Sequence, residues 1–505
     1  MSDLLSARAQ MGTSLAFHII FALVGIGMPL MMVVAERKWY DTGDEIYHEL
    51  AQRWARGTAI LFAVGAVSGT VLSFELGLLW PGFMRQAGGI IGMPFSLEGF
   101  AFFTEAIFLG IYLYGWERIS PRAHIIAGLL VAVSGAASGI FVVIANAWMN
   151  TPSGFRIVNG AITDVDPIAA MRNPAALSQT IHMTLAAYAS TGLAVAGIHA
   201  FLLLRDSSNA FHRRALTIAL LVGGPAAVLQ PLSGDLAARQ VARYQPAKLA
   251  AMEALFATEQ GAPLVLGGWP DIEQHTTRAA IRIPYGLSLL AFHDPHATVR
   301  GLDAIPEDEW PNVPVVHWNF QLMVALGSYM ALVVFLAAVA AGRREAGGGK
   351  REAGGGKREA GGGKREAGGG KREAGGGKRE AGGGKREAGG GKRGVSGIAD
   401  QKWLLRAIVV AGPMGFLATE AGWMTTEFGR QPWVIYGVLR TRDAVSPMPG
   451  LVVPFVVFTL LYCFLGWVVG WLLYRQILHS PKISEQVWAN VTVGKGEEGR
   501  GKGTA

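Results

Sequence analysis

The sequence predicts an all-α polytopic membrane protein with about nine transmembrane helices. Three observations carry this. Apolar runs of ~20 residues recur along the chain, each long enough to cross a hydrocarbon core. Of the 505 residues 51% are hydrophobic and 16% charged, with a mean hydropathy of +0.31. The lone Cys463 lies inside an apolar run, so neither a disulfide framework nor a thiolate metal cluster is available.

The runs fall at roughly 12–36, 54–80, 93–116, 123–148, 179–204, 215–232, 317–341, 403–426 and 451–475. Residues 1–10 lack the basic n-region and cleavage site of a secretory signal, so the first run is read as a span. Lys and Arg set the orientation. They crowd the loops after the first, third, fifth and seventh runs, as Arg37, Lys38, Arg53, Arg56, Arg118, Arg122, Arg205, Arg213 and Arg214. The N-terminus is therefore expected outside and the C-terminus inside.

Four regions follow: spans 1–7 over residues 1–342 with a long outer loop at 233–317, a linker at 343–393, spans 8 and 9 over 394–480, and a tail at 481–505. The linker is low-complexity. From Arg344 to Lys392 the heptapeptide Arg-Glu-Ala-Gly-Gly-Gly-Lys repeats seven times and supplies +7 of the formal +8 charge. Three glycines in seven disfavour a helix, and without an apolar seam no coiled coil forms, so a flexible basic linker is expected. A charge confined to this linker does not point to nucleic acid; contact with anionic lipid is the reading it permits.

Unusual residues mark one layer. Thr426–Trp433 closes the eighth run and sets Glu427 and Arg430 three residues apart, just before the helix-stopping Pro432. An ionisable group at membrane depth is costly and commonly serves as a ligand, a counter-ion or a proton carrier. A helix end snorkelling to the headgroups is the plainer alternative. His18, Glu98, His182 and Met323 fall early in the first, third, fifth and seventh spans, and Glu427 ends the eighth, which runs the opposite way. All five are expected at one depth towards the outer face. A His/Met pair suits a six-coordinate electron-transfer haem, and a single His or carboxylate leaves a position open for a gas ligand. A mononuclear non-haem metal competes for the same His and Glu side chains, Glu98 among them.

Glu98 and Glu105 lie seven apart on one face of the third span, a step of ~10 Å inward. With Ser138 of the fourth span continuing the line, they form a candidate proton relay. In the long outer loop, Lys248 and Glu253 are five apart, near but off the helical pairing distance.

These residues resemble subunit I of the cytochrome bd-type quinol oxidases, nearest the short-loop branch called cyanide-insensitive oxidases. The resemblance runs from about residue 8 to 480 outside the repeat. It rests first on Glu427-Phe428-Gly429-Arg430-Gln431-Pro432-Trp433, then on Ser96-Leu97-Glu98-Gly99-Phe100 with Glu105, Ala145-Asn146-Ala147-Trp148-Met149, Lys248-Leu249-Ala250-Ala251-Met252-Glu253, Phe320-Gln321-Leu322-Met323 and Glu420-Ala421-Gly422-Trp423.

The resemblance implies that His182 and Met323 ligate a low-spin haem b. His18 and Glu427 would serve a high-spin haem b and a third haem, d or b, in an order that varies within the family. Glu98, Glu105 and Ser138 would form the haem pocket and proton path, Lys248 and Glu253 the quinol site. Trp423 would sit between haems, and Arg430 would offset propionate charge. It implies a second large membrane subunit, in many members a small single-span one, and oxidation of quinol with reduction of dioxygen to water. Protons would be released outside and drawn from inside, so that proton motive force arises without pumping. Gln321 stands where some members have Arg, and the long C-terminal loop insertion of some relatives is absent. The family gives the heptapeptide repeat no role. Two other classes share parts of the pattern: an ion-conducting subunit using Glu98, Glu105 and Glu427, and a b-type quinol-dehydrogenase cytochrome. The first lacks an internal helix repeat or a pair of broken helices, the second paired histidines on one helix.

Overall fold

The computed structural model describes residues 1–355 and 396–478. Among these, nine helices are long and apolar enough to cross a membrane. They are α1 (Asp3–Thr42), α2 (Glu45–Leu79), α3 (Pro81–Tyr114), α4 (Pro121–Asn150), α5 (Ala176–Arg205), α6 (Ala210–Tyr244), α7 (Val313–Gly355), α8 (Lys402–Arg430) and α9 (Val452–Leu478). Each run read from the sequence falls on its own helix. The connecting segments add short helices and five two-stranded antiparallel pairs.

Helix α1 packs against α2, α4, α5 and α9, while α5 packs against α6 and α8, and α8 against α7. Small residues let the helices close up. A Cβ on Gly197 of α5 would come within 2.9 Å of the Gly412 Cα of α8, so only glycine fits there. Met31, Met32, Leu50, Leu193, Leu216 and Leu404 fill the main core. By contrast α9 exposes Val453, Val457, Leu460, Phe464 and Trp467, as a lipid-facing helix does.

One end of the bundle carries the long connection between α6 and α7. There the short helix Pro246–Met252 sits against α7 and α8, and Asp3 Oδ1 accepts from the Gly450 and Leu451 amides at 3.0 and 2.9 Å, tying the starts of α1 and α9 together. This end is called the loop end below.

Several boundaries differ from expectation. Helix α6 continues past residue 232 to Tyr244, despite Pro225 and Pro231, so the loop begins at Gln245 and not at Ser233. A proline removes one ladder bond, which packing against neighbouring helices tolerates. Helices α1 and α3 begin at Asp3 and Pro81, well before their apolar runs, which puts His18 and Glu98 about four to five turns in. Finally, α7 runs on to Gly355, carrying the first repeat copy as helix. Extending an existing helix adds one bond per residue fixed and avoids the costly nucleus that makes isolated glycine-rich helices fail. The repeat beyond residue 355 and the tail at 481–505 lie outside the described residues.

Candidate functional site

Two histidines are held in the same way. His18 Nδ1 on α1 lies 2.9 Å from Ser68 Oγ on α2, and His182 Nδ1 on α5 lies 2.9 Å from Ser233 Oγ on α6. A hydroxyl on Nδ1 fixes the ring and directs Nε2 at whatever is bound. Both rings are only half-buried within the bundle. The Gln230 amide of α6 also stands 3.2 Å from His182 Nε2.

The single level expected for the unusual residues is met only in part: contacts join the surroundings of His18, His182 and Met323, whereas Glu98 and Glu427 meet α4 at Ser138 and Asn146, eight residues and about 12 Å apart along that helix. Leu15 and Ile19, flanking His18, pack with Met183, next to His182, and with Trp423 of α8. Met323 Sδ lies against Gly422, where a Cβ would be 3.0 Å away. Trp423 thus stands between the two histidines' neighbourhoods, with Met323 beside it.

Glu427 lies about one turn beyond Trp423 on α8, nearer the loop end. Its Oε1 accepts from Asn146 Nδ2 at 2.7 Å, and its Oε2 pairs with Arg430. The Arg430 guanidinium is 2% exposed, yet its Nε and Nη1 have no hydrogen-bond partner. Buried donors left unmade are costly, so this end of Arg430 is arranged to meet an anion.

Glu98 and Glu105 share a face of α3 as expected. Ser138 is corrected in position: its Oγ donates to Glu98 Oε1 at 3.2 Å, so it lies beside Glu98 and not beyond Glu105. The reason is direction. Helices α3 and α4 are antiparallel neighbours, and moving back along α4 from Ser138 leads to Gly135, which faces Glu105. Glu105 is buried in a slot that glycine opens, with Gly25 of α1 on one side and Gly135 on the other.

At the loop end, Lys248 is 3% exposed and donates to Asn150 Oδ1 at 2.6 Å and Gln245 Oε1 at 2.8 Å. Its stem crosses Gly429, where a Cβ would come within 2.7 Å of Lys248 Cγ, which accounts for glycine in the Gly-Arg-Gln-Pro-Trp run. Burial, with Arg430 nearby, lowers its pKa to about 7. Glu253 ends the same short helix but faces the Val265 backbone, and burial raises its pKa to about 8. The two therefore line one region without pairing.

Ser68, Ser233, Gln230, Asn146 and Asn150 were missed from the sequence. Ser233 falls in the segment expected as a loop, and the others are single polar residues on long helices. Asn146 alone carried a signal, inside Ala145-Asn146-Ala147-Trp148-Met149.

Residues 6–481 match the family model for cytochrome bd terminal oxidase subunit I, and the chain belongs to that family. It is a terminal-oxidase subunit and a multi-pass protein of the bacterial cytoplasmic membrane. Among its relatives, the putative cytochrome bd menaquinol oxidase subunit I of Bacillus subtilis (strain 168) is 36% identical over 95% of this chain and 98% of its own. The cytochrome bd-II ubiquinol oxidase subunit 1 of Escherichia coli (strain K12) is 27% identical over 88% and 89%. The solved bd oxidase from Geobacillus thermodenitrificans superposes with a TM-score of 0.80 at 34% identity, covering 95% of this chain and 99% of that one.

Membership makes haem the group to test against these residues, and they fit it. Among the described residues no three His, Cys, Asp or Glu side chains converge as a bare metal ion requires. Single axial donors on separate helices, oriented through Nδ1, suit a macrocycle that brings its own four ligands. The partnerless Arg430 donors suit its propionates.

Proposed function

We propose that this chain is the haem-bearing subunit of a quinol:oxygen oxidoreductase, working with a second large membrane subunit. The observation that carries the reading is the pair of Ser-anchored histidines with Trp423 packed between their surroundings, Met323 beside it and the Glu427–Arg430 pair about one turn further along α8. Haem bound there supplies one-electron transfer and an open iron position for dioxygen. His182 and Met323 hold the low-spin haem, while His18 and Glu427 hold the other two. Trp423 separates them, and Arg430 balances propionate charge.

The remaining residues bind quinol and manage protons. Lys248 and Glu253 sit at the loop end, which faces outside on the distribution of Lys and Arg. Quinol oxidation releases two protons, and a base beside the headgroup accelerates that release. Glu253 serves as this base. At the other side of the haem level, Glu105 passes protons towards Glu98 and Ser138 from the inside. Each proton crossing the membrane is worth ~2.3 kcal/mol per 100 mV, so separate quinol and dioxygen sites generate proton motive force without a pump.

Oxygen uptake driven by added quinol, in membranes carrying this chain and its partner subunit, tests the reading; no uptake by assembled protein overturns it. The pH profile sharpens the test. Only the ionised carboxylate accepts a proton, so with its pKa near 8 the activity at low quinol is expected to rise from neutral pH through that value. Glu253→Gln is expected to lower kcat/KM about 10²-fold or more and to flatten the rise. A retained rise in Glu253→Gln removes Glu253 from this role.

A further inference from the structure

A second buried polar cluster lies one helical turn from His18, between α1, α2 and α9. Gln10, Ser14 and His18 recur every four residues on one face of α1. Gln10 Nε2 and Ser14 Oγ donate to Glu75 Oε1 at 2.9 and 2.8 Å. Glu75 follows Ser68, the anchor of His18, by seven residues on α2 and so shares its face. The Tyr462 hydroxyl of α9 faces Ser14 and Glu75 and closes the third side.

Glu75, Gln10 and Tyr462 are 3%, 2% and 4% exposed, and Glu75 Oε2 and Gln10 Oε1 are without a hydrogen-bond partner. A cluster that only tied helices together would satisfy such atoms, since each unmade bond is costly. We infer that Glu75 is a proton-binding site coupled to the redox state of the haem held by His18, an assignment that rests on the haem reading above.

The step balances. One electron derived from quinol reduces the iron from ferric to ferrous, and one proton from water bonds to Glu75 Oε2, so net charge is unchanged. Tyr462 Oη and Gln10 Oε1 are the acceptors left in the cluster for the new O–H. The groups facing Glu75 are Gln10 and Ser14 from α1 and Tyr462 from α9, none charged at neutral pH. Two turns along α2 separate Glu75 from the Ser68 anchor by about 10 Å. A unit charge at that range, at an effective dielectric constant of ~20, changes proton affinity about tenfold.

The test is a spectroelectrochemical titration of the assembled oxidase at several pH values. The His18-dependent component is identified as the one lost in His18→Ala. Its midpoint potential is expected to fall with rising pH in the wild type. In Glu75→Gln it is expected to lose at least about half of that slope, with the low-spin component unaltered. An unchanged slope in haem-replete Glu75→Gln overturns the inference. If Glu75→Gln does not assemble, redox-difference infrared spectra of wild type and Tyr462→Phe decide. A carboxyl C=O band that changes on reduction and shifts in Tyr462→Phe supports the inference, and no such band overturns it. A wild-type oxidase without haem absorbance would instead overturn the haem reading itself.

Discussion

Replacing His182 with alanine is expected to remove the low-spin haem and to lower quinol-driven oxygen uptake by more than about 100-fold. Even loss of a partner that merely orients a metal-ligating His costs ~10–100-fold, and loss of the ligand itself costs more. Ser233 holds Nδ1, so Nε2 is the atom that alanine takes away. Reduced-minus-oxidised spectra are expected to lose the low-spin band while a carbon monoxide-binding component remains, because His18 and Glu427 belong to other elements of the site. Met323→Leu, which keeps size and loses only the thioether donor, is expected to convert the same band to a high-spin one. An intact low-spin band in both variants would remove this pair from the ligand set.

Glu105→Leu is expected to slow steady-state turnover by about 100-fold or more while quinol still reduces the low-spin haem at its normal rate. The carboxyl occupies the slot between Gly25 and Gly135, and leucine fills a similar space without a group that carries a proton. The defect is therefore one of proton supply and not of folding. Glu105→Asp, which keeps the carboxyl but shortens its reach, is expected to restore part of the turnover. Rapid-mixing measurement of haem reduction beside oxygen-electrode turnover separates the two steps. Unchanged turnover in Glu105→Leu would end the relay through this residue.

The fold was legible because a membrane span is written in plain composition. About 20 apolar residues in a row have few other uses, and all nine runs became helices. What was not legible were helix ends that leave the apolar run. Polar residues such as Ser233, Asp235 and Arg239 continue α6 beyond Pro231, because the surrounding protein and not the lipid accepts them. The candidate site was legible where rare polar residues fall in apolar surroundings, as with His18, His182 and Glu427. Its supporting shell was not, because a serine on a membrane helix commonly bonds its own backbone. Ser68 does this too, donating to Val64 O at 3.0 Å, and only the fold reveals its second contact with His18. Ser138 was placed on the right helix but at the wrong height, since spacing along one helix does not give its register against the next.

The central claim is that this bundle holds haems through His18, His182, Met323 and Glu427. A dithionite-reduced minus air-oxidised visible spectrum of membranes carrying the chain with its partner subunit tests it most directly. The account requires a b-type band together with a component that responds to carbon monoxide, and a far-red chlorin band if the third haem is d. Folded, assembled protein without any haem absorbance would contradict it and return Glu98, Glu105 and Glu427 to ion conduction.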